Sequence, residues 1–144
     1  MLISDLLRNQ VAISAEPHQT VLEIASLMVE HNIGAVPVMQ NGRLLGIFSE
    51  RDLMSRVVVG GKDPALTKVS QVMTEDPLTV APNDSLETGM TLMKRHGFRH
   101  LPVCVGRELK GVISLRDILL RNLDEKDDEV RMMRAYLHST PDAG

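Results

Sequence analysis

Two short segments carry the residue types needed to hold a phosphorylated sugar: Gly46-Ile47-Phe48-Ser49-Glu50-Arg51-Asp52 and Gly111-Val112-Ile113-Ser114-Leu115-Arg116-Asp117. Each sets a hydroxyl, an arginine and a carboxylate at the same spacing behind a glycine. Their patterning predicts a strand that exits directly into a helix. Exposed N–H groups and the positive end of the helix dipole then favour an anion at that corner. An arginine in the first turn pairs with phosphate oxygens. An aspartate three residues after the serine accepts from two vicinal hydroxyls, such as a ribose diol. A structural reading competes with this one, because serine at an N-cap and aspartate in a first turn stabilise any helix. Capping alone does not ask for the same glycine and the same arginine twice, and the ligand reading is preferred on that ground.

The corner recurs because the chain is a duplication. Shifted by 65 residues, positions 13–58 align with 78–123 without a gap. Twelve of these 46 positions are identical, among them Pro37/Pro102, Gly46/Gly111, Asp52/Asp117 and Arg56/Arg121, where unrelated sequences give roughly three. Each half reads as β-α-β-β-α. A first strand is expected over 11–14 and again over 78–80, ended by Pro17 and Pro82. Thr20 and Ser85 are N-caps for the first helices, with Glu23 placed to complete a capping box. The apolar face of the first helix is Val21, Ile24, Ala25 and Met28; its counterpart is Leu86, Met90 and Met93, with Gly89 a weak point. Asn41-Gly42 and Gly106-Arg107 are two-residue hairpin turns. The second helices are expected over 50–58 and 115–123.

One half is too small to bury both faces of its sheet, so an α+β fold is expected with two repeats packed sheet to sheet about a pseudo-twofold axis. The expected divisions are 1–64, 65–123 and 124–144. In the first, 4–8 leads into the repeat and Gly60-Gly61-Lys62-Asp63-Pro64 is a linker. The second begins with Val69-Ser70-Gln71-Val72-Met73. The third is an acidic tail, Asp124 to Glu129, before a short amphipathic helix through Val130, Met133 and Tyr136-Leu137 that packs on the module or on a second subunit.

Composition narrows the function classes. The 144 residues are 43% hydrophobic and 24% charged, with 2% aromatics and nine Met, so the core is aliphatic. A formal net charge of −3 shows no basic footprint for nucleic acid. The absence of a long apolar run argues against a membrane span. Asp5 and Arg8 break any signal-peptide pattern, and with a single cysteine, Cys104, the expected location is the cytoplasm. Five histidines invite a metal reading, but no H-E-x-x-H or C-x-x-C occurs. His96 and His100 are four apart, yet Gly97 ends the helix between them. Cys104 reads as a small buried residue and the Met residues as core filler. The Gly60-Gly61-Lys62 stretch lacks the other parts of a phosphate loop.

Gly34-Ala35-Val36-Pro37-Val38 with the first corner, and Arg99-His100-Leu101-Pro102-Val103 with the second, resemble tandem CBS domains (the repeat of cystathionine β-synthase). The resemblance covers nearly all of residues 1–123. It implies a stand-alone, non-catalytic bacterial-type module binding an adenine nucleotide, in energy or redox sensing. AMP, ADP or ATP leads, NAD or S-adenosylmethionine is an alternative, and no metal is required. The implied sites lie in the cleft between repeats. One takes Ser114, Arg116 and Asp117 with Arg99 on phosphate, flanked at the base by Ser14 and Ile33. The other takes Ser49, Arg51 and Asp52, with Thr79 and Phe98 near the base. Gly34, Ala35, Pro37, His100 and Pro102 complete the cleft. Because Gly34 and Ala35 stand where the second copy has Arg99 and His100, the Asp117 site is expected to bind phosphate more tightly. Occupancy of the Asp52 site depends on His100 reaching across. A homodimer and an unknown regulated protein are implied as partners, with neither nucleic acid nor membrane. Two alternatives remain: a ligand-independent dimerisation module, and a fragment related to the regulatory insert of IMP dehydrogenase, whose roughly 250-residue catalytic barrel has no room in this chain.

Overall fold

A computed structural model describes residues 1–7 and 13–137, without the side chains of 124, 125, 127–129, 136 and 137. The first repeat runs α1 (Val21–His31), β1 (Ala35–Gln40), β2 (Arg43–Ser49) and α2. Helix α2 opens as one α turn, Glu50–Asp52, and continues in wider π winding over Leu53–Val58. After a short strand β3 (Thr74–Glu75), the second repeat follows as α3 (Leu86–His96), β4 (His100–Val105), β5 (Glu108–Ser114) and α4 (Leu115–Leu137).

The helix ends follow the local chemistry. Thr20 Oγ1 accepts from the Glu23 amide at 3.2 Å, and Ser85 Oγ from the Thr88 amide at 3.1 Å. The expected reciprocal bond from the Glu23 carboxylate is not formed; the residues on either side of Thr20 pair with 67–69, Val21 donating to the Thr67 carbonyl and Val69 to that of Gln19. Asn32 and Gly97 stop α1 and α3 in left-handed geometry, with φ of 51° and 71°. The Asn41-Gly42 turn has both residues at positive φ, which matches the twist of the strands it joins.

Both hairpins carry a bulge at the same place. Val38 faces Gly46 but Met39 faces Leu44; Val103 faces Gly111 but Cys104 faces Leu109. Leu45 and Lys110 are therefore the extra residues. The expected first strands shrink to single parallel bridges, Ala15 with Val38 and Val80 with Val103. Proline explains the limit: Pro37 and Pro102 offer only carbonyls, which accept from Ala15 and Val80 at 2.8 and 3.0 Å. Of the expected strand at 11–14, residues 11 and 12 lie outside the described residues.

The lead-in segments exchange places. Val69, Val72 and Met73 pack into the first core with Val21, Ile24, Val36 and Phe48. Ile3, with Leu6 and Leu7, packs into the second core with Leu86, Met93, Leu101 and Ile113. The bonds repeat as well. Ile3 donates to the Asp84 carbonyl and Val69 to that of Gln19, while Ser4 donates to Pro82 and Ser70 to Pro17. Each half is thus completed by the segment that precedes the other, and full burial of one such isoleucine is worth roughly 1.5–3 kcal/mol.

The two sheets meet through β2 and β5, giving the α+β, sheet-to-sheet pair. The expected break after residue 123 is absent, because α4 is one helix of 23 residues. No Gly or Pro lies between Gly111 and Pro141, and the acidic run contains nothing that ends a helix.

Candidate functional site

Both corners form as strand-to-helix junctions with matched bonds. The Glu50 amide donates to the Gly34 carbonyl at 3.0 Å, and that of Leu115 to the Arg99 carbonyl at 2.7 Å. The serine and aspartate of each corner then cap one another. Asp52 N reaches Ser49 Oγ at 3.3 Å and Ser49 N reaches Asp52 Oδ2 at 3.0 Å. At the second corner the same two bonds measure 3.0 and 3.2 Å.

The remaining carboxylate oxygens set the corners apart. Asp52 is 8% exposed. Its Oδ1 accepts from Thr74 Oγ1 at 3.3 Å and faces Arg56 Nε at 3.6 Å. Arg56 also donates to the carbonyls of Val72 and Met73. Asp52 is therefore sealed by the lead-in of the second repeat. Asp117 is exposed, and among the described residues no hydrogen bond engages its Oδ1, although its charge acts on the His100 imidazole. Arg116 and Arg99 are exposed beside it in the chain and on the adjoining strand entry. Thr74 and Arg56 were not among the expected site residues; the Arg56/Arg121 identity was the signal available for the second of them.

The repeated glycine has a structural cause in the first copy. A Cβ on Gly46 would lie 2.6 Å from the Thr74 carbonyl, so β3 can pair there only against glycine. That glycine no longer argues for a ligand.

His100 does reach across the repeats. Gly34 lies so close that an added Cβ would stand 3.1 Å from the imidazole and equally near Glu50 Oε1. Burial pushes the His100 imidazole below its usual range, against the upward pull of Glu50 and Asp117 and with help from Arg99. Glu50, which the sequence reading passed over, belongs to this cluster. Arg51 also crosses, donating to the Gly97 carbonyl at 3.3 Å, next to Phe98.

The remaining expected residues have these surroundings: Ala35 faces Ser49 across the hairpin, at the first corner. Pro37, Pro102 and Ala35 are buried in strands, Ile33 packs on the first core, and Ser14 is exposed before the Ala15 bridge. Phe98 stacks on His96 with ring centroids 5.6 Å apart. Phe98 and Arg99 line a groove of about 700 Å³ between α3 and the start of α4. Thr79 lines a separate cavity of about 650 Å³ at the hairpin tips, with Arg43, Arg107 and Cys104. Neither cavity is lined by Asp52 or Asp117. Cys104 is buried, which pushes its thiol up. Among the described residues no group of three or more metal-ligating side chains gathers, and no helix is long and apolar enough to cross a membrane.

This architecture is two hairpin-and-helix units clasped sheet to sheet, and the comparisons identify it. The CBS domain family model matches residues 3–59 and 69–124, and the chain belongs to the CBS-domain family. It is 37% identical over 124 residues to the CBS domain-containing protein YhcV of Bacillus subtilis, covering 86% of this chain and 87% of that one. A crystal structure of a CBS-domain protein from Agrobacterium tumefaciens is 32% identical with a TM-score of 0.78, over 85% of this chain and 99% of the other. The CBS domain pair of protein MJ0100, solved with 5′-methylthioadenosine and S-adenosyl-L-methionine, shares the fold at 22% identity and a TM-score of 0.76, over 88% and 98%.

Proposed function

We propose that this CBS pair is a regulatory module that binds one adenine nucleotide at the Asp117 corner and passes the change in packing to a partner protein. The observation that carries the reading is the open Oδ1 of Asp117, with two exposed arginines, Arg99 and Arg116, at the same corner. Asp117 holds its own cap with one oxygen and keeps the other for a ribose hydroxyl. Arg99 and Arg116 supply the charge for phosphate, and Ser14 and Ile33 flank the base. AMP, ADP or ATP is the ligand class, with NAD or S-adenosylmethionine as alternatives. The Asp52 corner is better read as structural, because both its oxygens are already engaged. Exposed apolar residues on α1 and α2, such as Val29 and Met54, suit pairing of two modules.

Thermal melting with each nucleotide tests this. At about a hundred times its dissociation constant a ligand adds roughly 2.7 kcal/mol, a rise of several degrees for a chain of this size. Asp117→Ala should abolish the rise. Identical melting curves with and without every nucleotide tested would leave a ligand-independent interaction module as the better reading.

A further inference from the structure

We infer that the C-terminal half of α4 pairs antiparallel with the same helix of a second copy of this chain. Helix α4 packs against α3 and β5 near its start. The second family match ends at residue 124, yet the helix continues to Leu137. Beyond that point the described side chains from Val130 to Ala135 are all exposed, with Val130 at 44%, Met132 at 73% and Met133 at 66%.

The sequence of this extension is that of a helix with a partner. Leu119, Leu123, Lys126, Val130, Met133 and Leu137 follow one another at spacings of four, three, four, three and four. That is a heptad seam, the pattern that meshes with a second helix. Leu119 and Leu123, at its start, are also exposed, at 44% and 56%.

Charge selects the partner and its direction. Residues 124–129 hold five acids and one lysine, a net of −4, and residues 130–137 hold Arg131 and Arg134, a net of +2. Antiparallel pairing of two copies about Val130 and Met133 brings each Arg134 over residues 127–129 of the other, with Arg131 one turn further in. Parallel pairing stacks acid on acid and puts two Lys126 in one layer, which opposes it. The register that places Val130 against the partner's Met133 twice over also sends Lys126 to the outer layer, where its ammonium reaches water. So short a seam is marginal by itself, and it adds to whatever contact the modules make.

Two experiments on the full-length chain test this, both in a Cys104→Ala background. V130C and M133C are purified reduced and oxidised separately or mixed. The mixture should give a disulfide-linked dimer and neither variant alone should. Cross-linking of V130C by itself would mean parallel helices, and no cross-link in the mixture would mean a solitary helix satisfied by its own i, i+4 charge pairs; either overturns the proposal. In sedimentation, R131E/R134E should weaken self-association at least tenfold, and adding D127K/D128K/E129K should restore it. Self-association unchanged by the first, or not restored by the second, equally overturns it.

Discussion

A Cβ added to Gly34 would stand 3.1 Å from both Cε1 and Nε2 of His100, so a side chain at residue 34 would require the second repeat's imidazole to give way. This is where the two halves touch through chemistry that differs between them, since the matching pair is Arg99 and Ala35.

Gly34→Ala should destabilise the fold by about 1–3 kcal/mol through overpacking. In a His100→Ala background most of that loss should vanish, and a double-mutant cycle in urea reads the coupling. Gly46→Ala should show no such rescue, because the atom its Cβ meets is the Thr74 backbone carbonyl rather than a side chain that can move.

His100 also gives stability a pH dependence of known sign. The unfolded imidazole takes its proton near 6.5, and the folded one only at lower pH. Between those values the unfolded chain holds more protons, so stability rises with pH across that window. The contribution is complete above 6.5 and is lost as pH falls toward the lowered value. His100→Gln should flatten this slope in urea titrations run from pH 5 to 7.5. An unchanged slope would assign it to other groups.

The two aspartates should separate binding from folding. Asp117→Ala removes a cap from an exposed turn and should cost about 1 kcal/mol while eliminating nucleotide stabilisation. Asp52→Ala removes the cap and the acceptor of Thr74 Oγ1, while Arg56 keeps its two carbonyl bonds, and should cost about 2–3 kcal/mol with nucleotide affinity little changed in the molecules that fold. Calorimetric titration beside urea melts measures both; equal losses of affinity would show that the sealed corner binds after all.

Gly89→Ala should stabilise. Its Cβ would rest 3.6 Å from the Cδ1 atoms of Ile3, Ile113 and Ile118, an ordinary contact, while the helix gains up to about 1 kcal/mol in propensity. A midpoint in urea that falls instead would show that these isoleucines cannot accommodate the methyl group.

What the sequence disclosed was local. Gly97 as a helix stop, Asn41-Gly42 as a turn and the Ser-x-x-Asp caps each depend on a few neighbouring residues, and each stands where it was expected. What it concealed was which surface a segment meets. Val69 and Ile3 have the same character, and nothing in their neighbourhood says that each crosses to the far repeat. The burial of Asp52 follows from that crossing, because Thr74 arrives with it; the two corners read alike in sequence yet differ in their free oxygens. The acidic run after Leu123 read as a break, but like charges on a solvated helix weaken it only slightly, and no residue there stops it.

The crossing of the lead-ins bears on how such a molecule comes to exist. Separate half-length chains making the same contacts would be an intertwined dimer, each lending its first turn to the other. Residues 60–64 join the two, and what would be an encounter between molecules becomes ring closure within one, independent of concentration. A chain cut to residues 65–144 would keep the second hairpin and its helices but lose the isoleucine plug they close around. It should regain order only when a peptide spanning residues 1–7 is supplied.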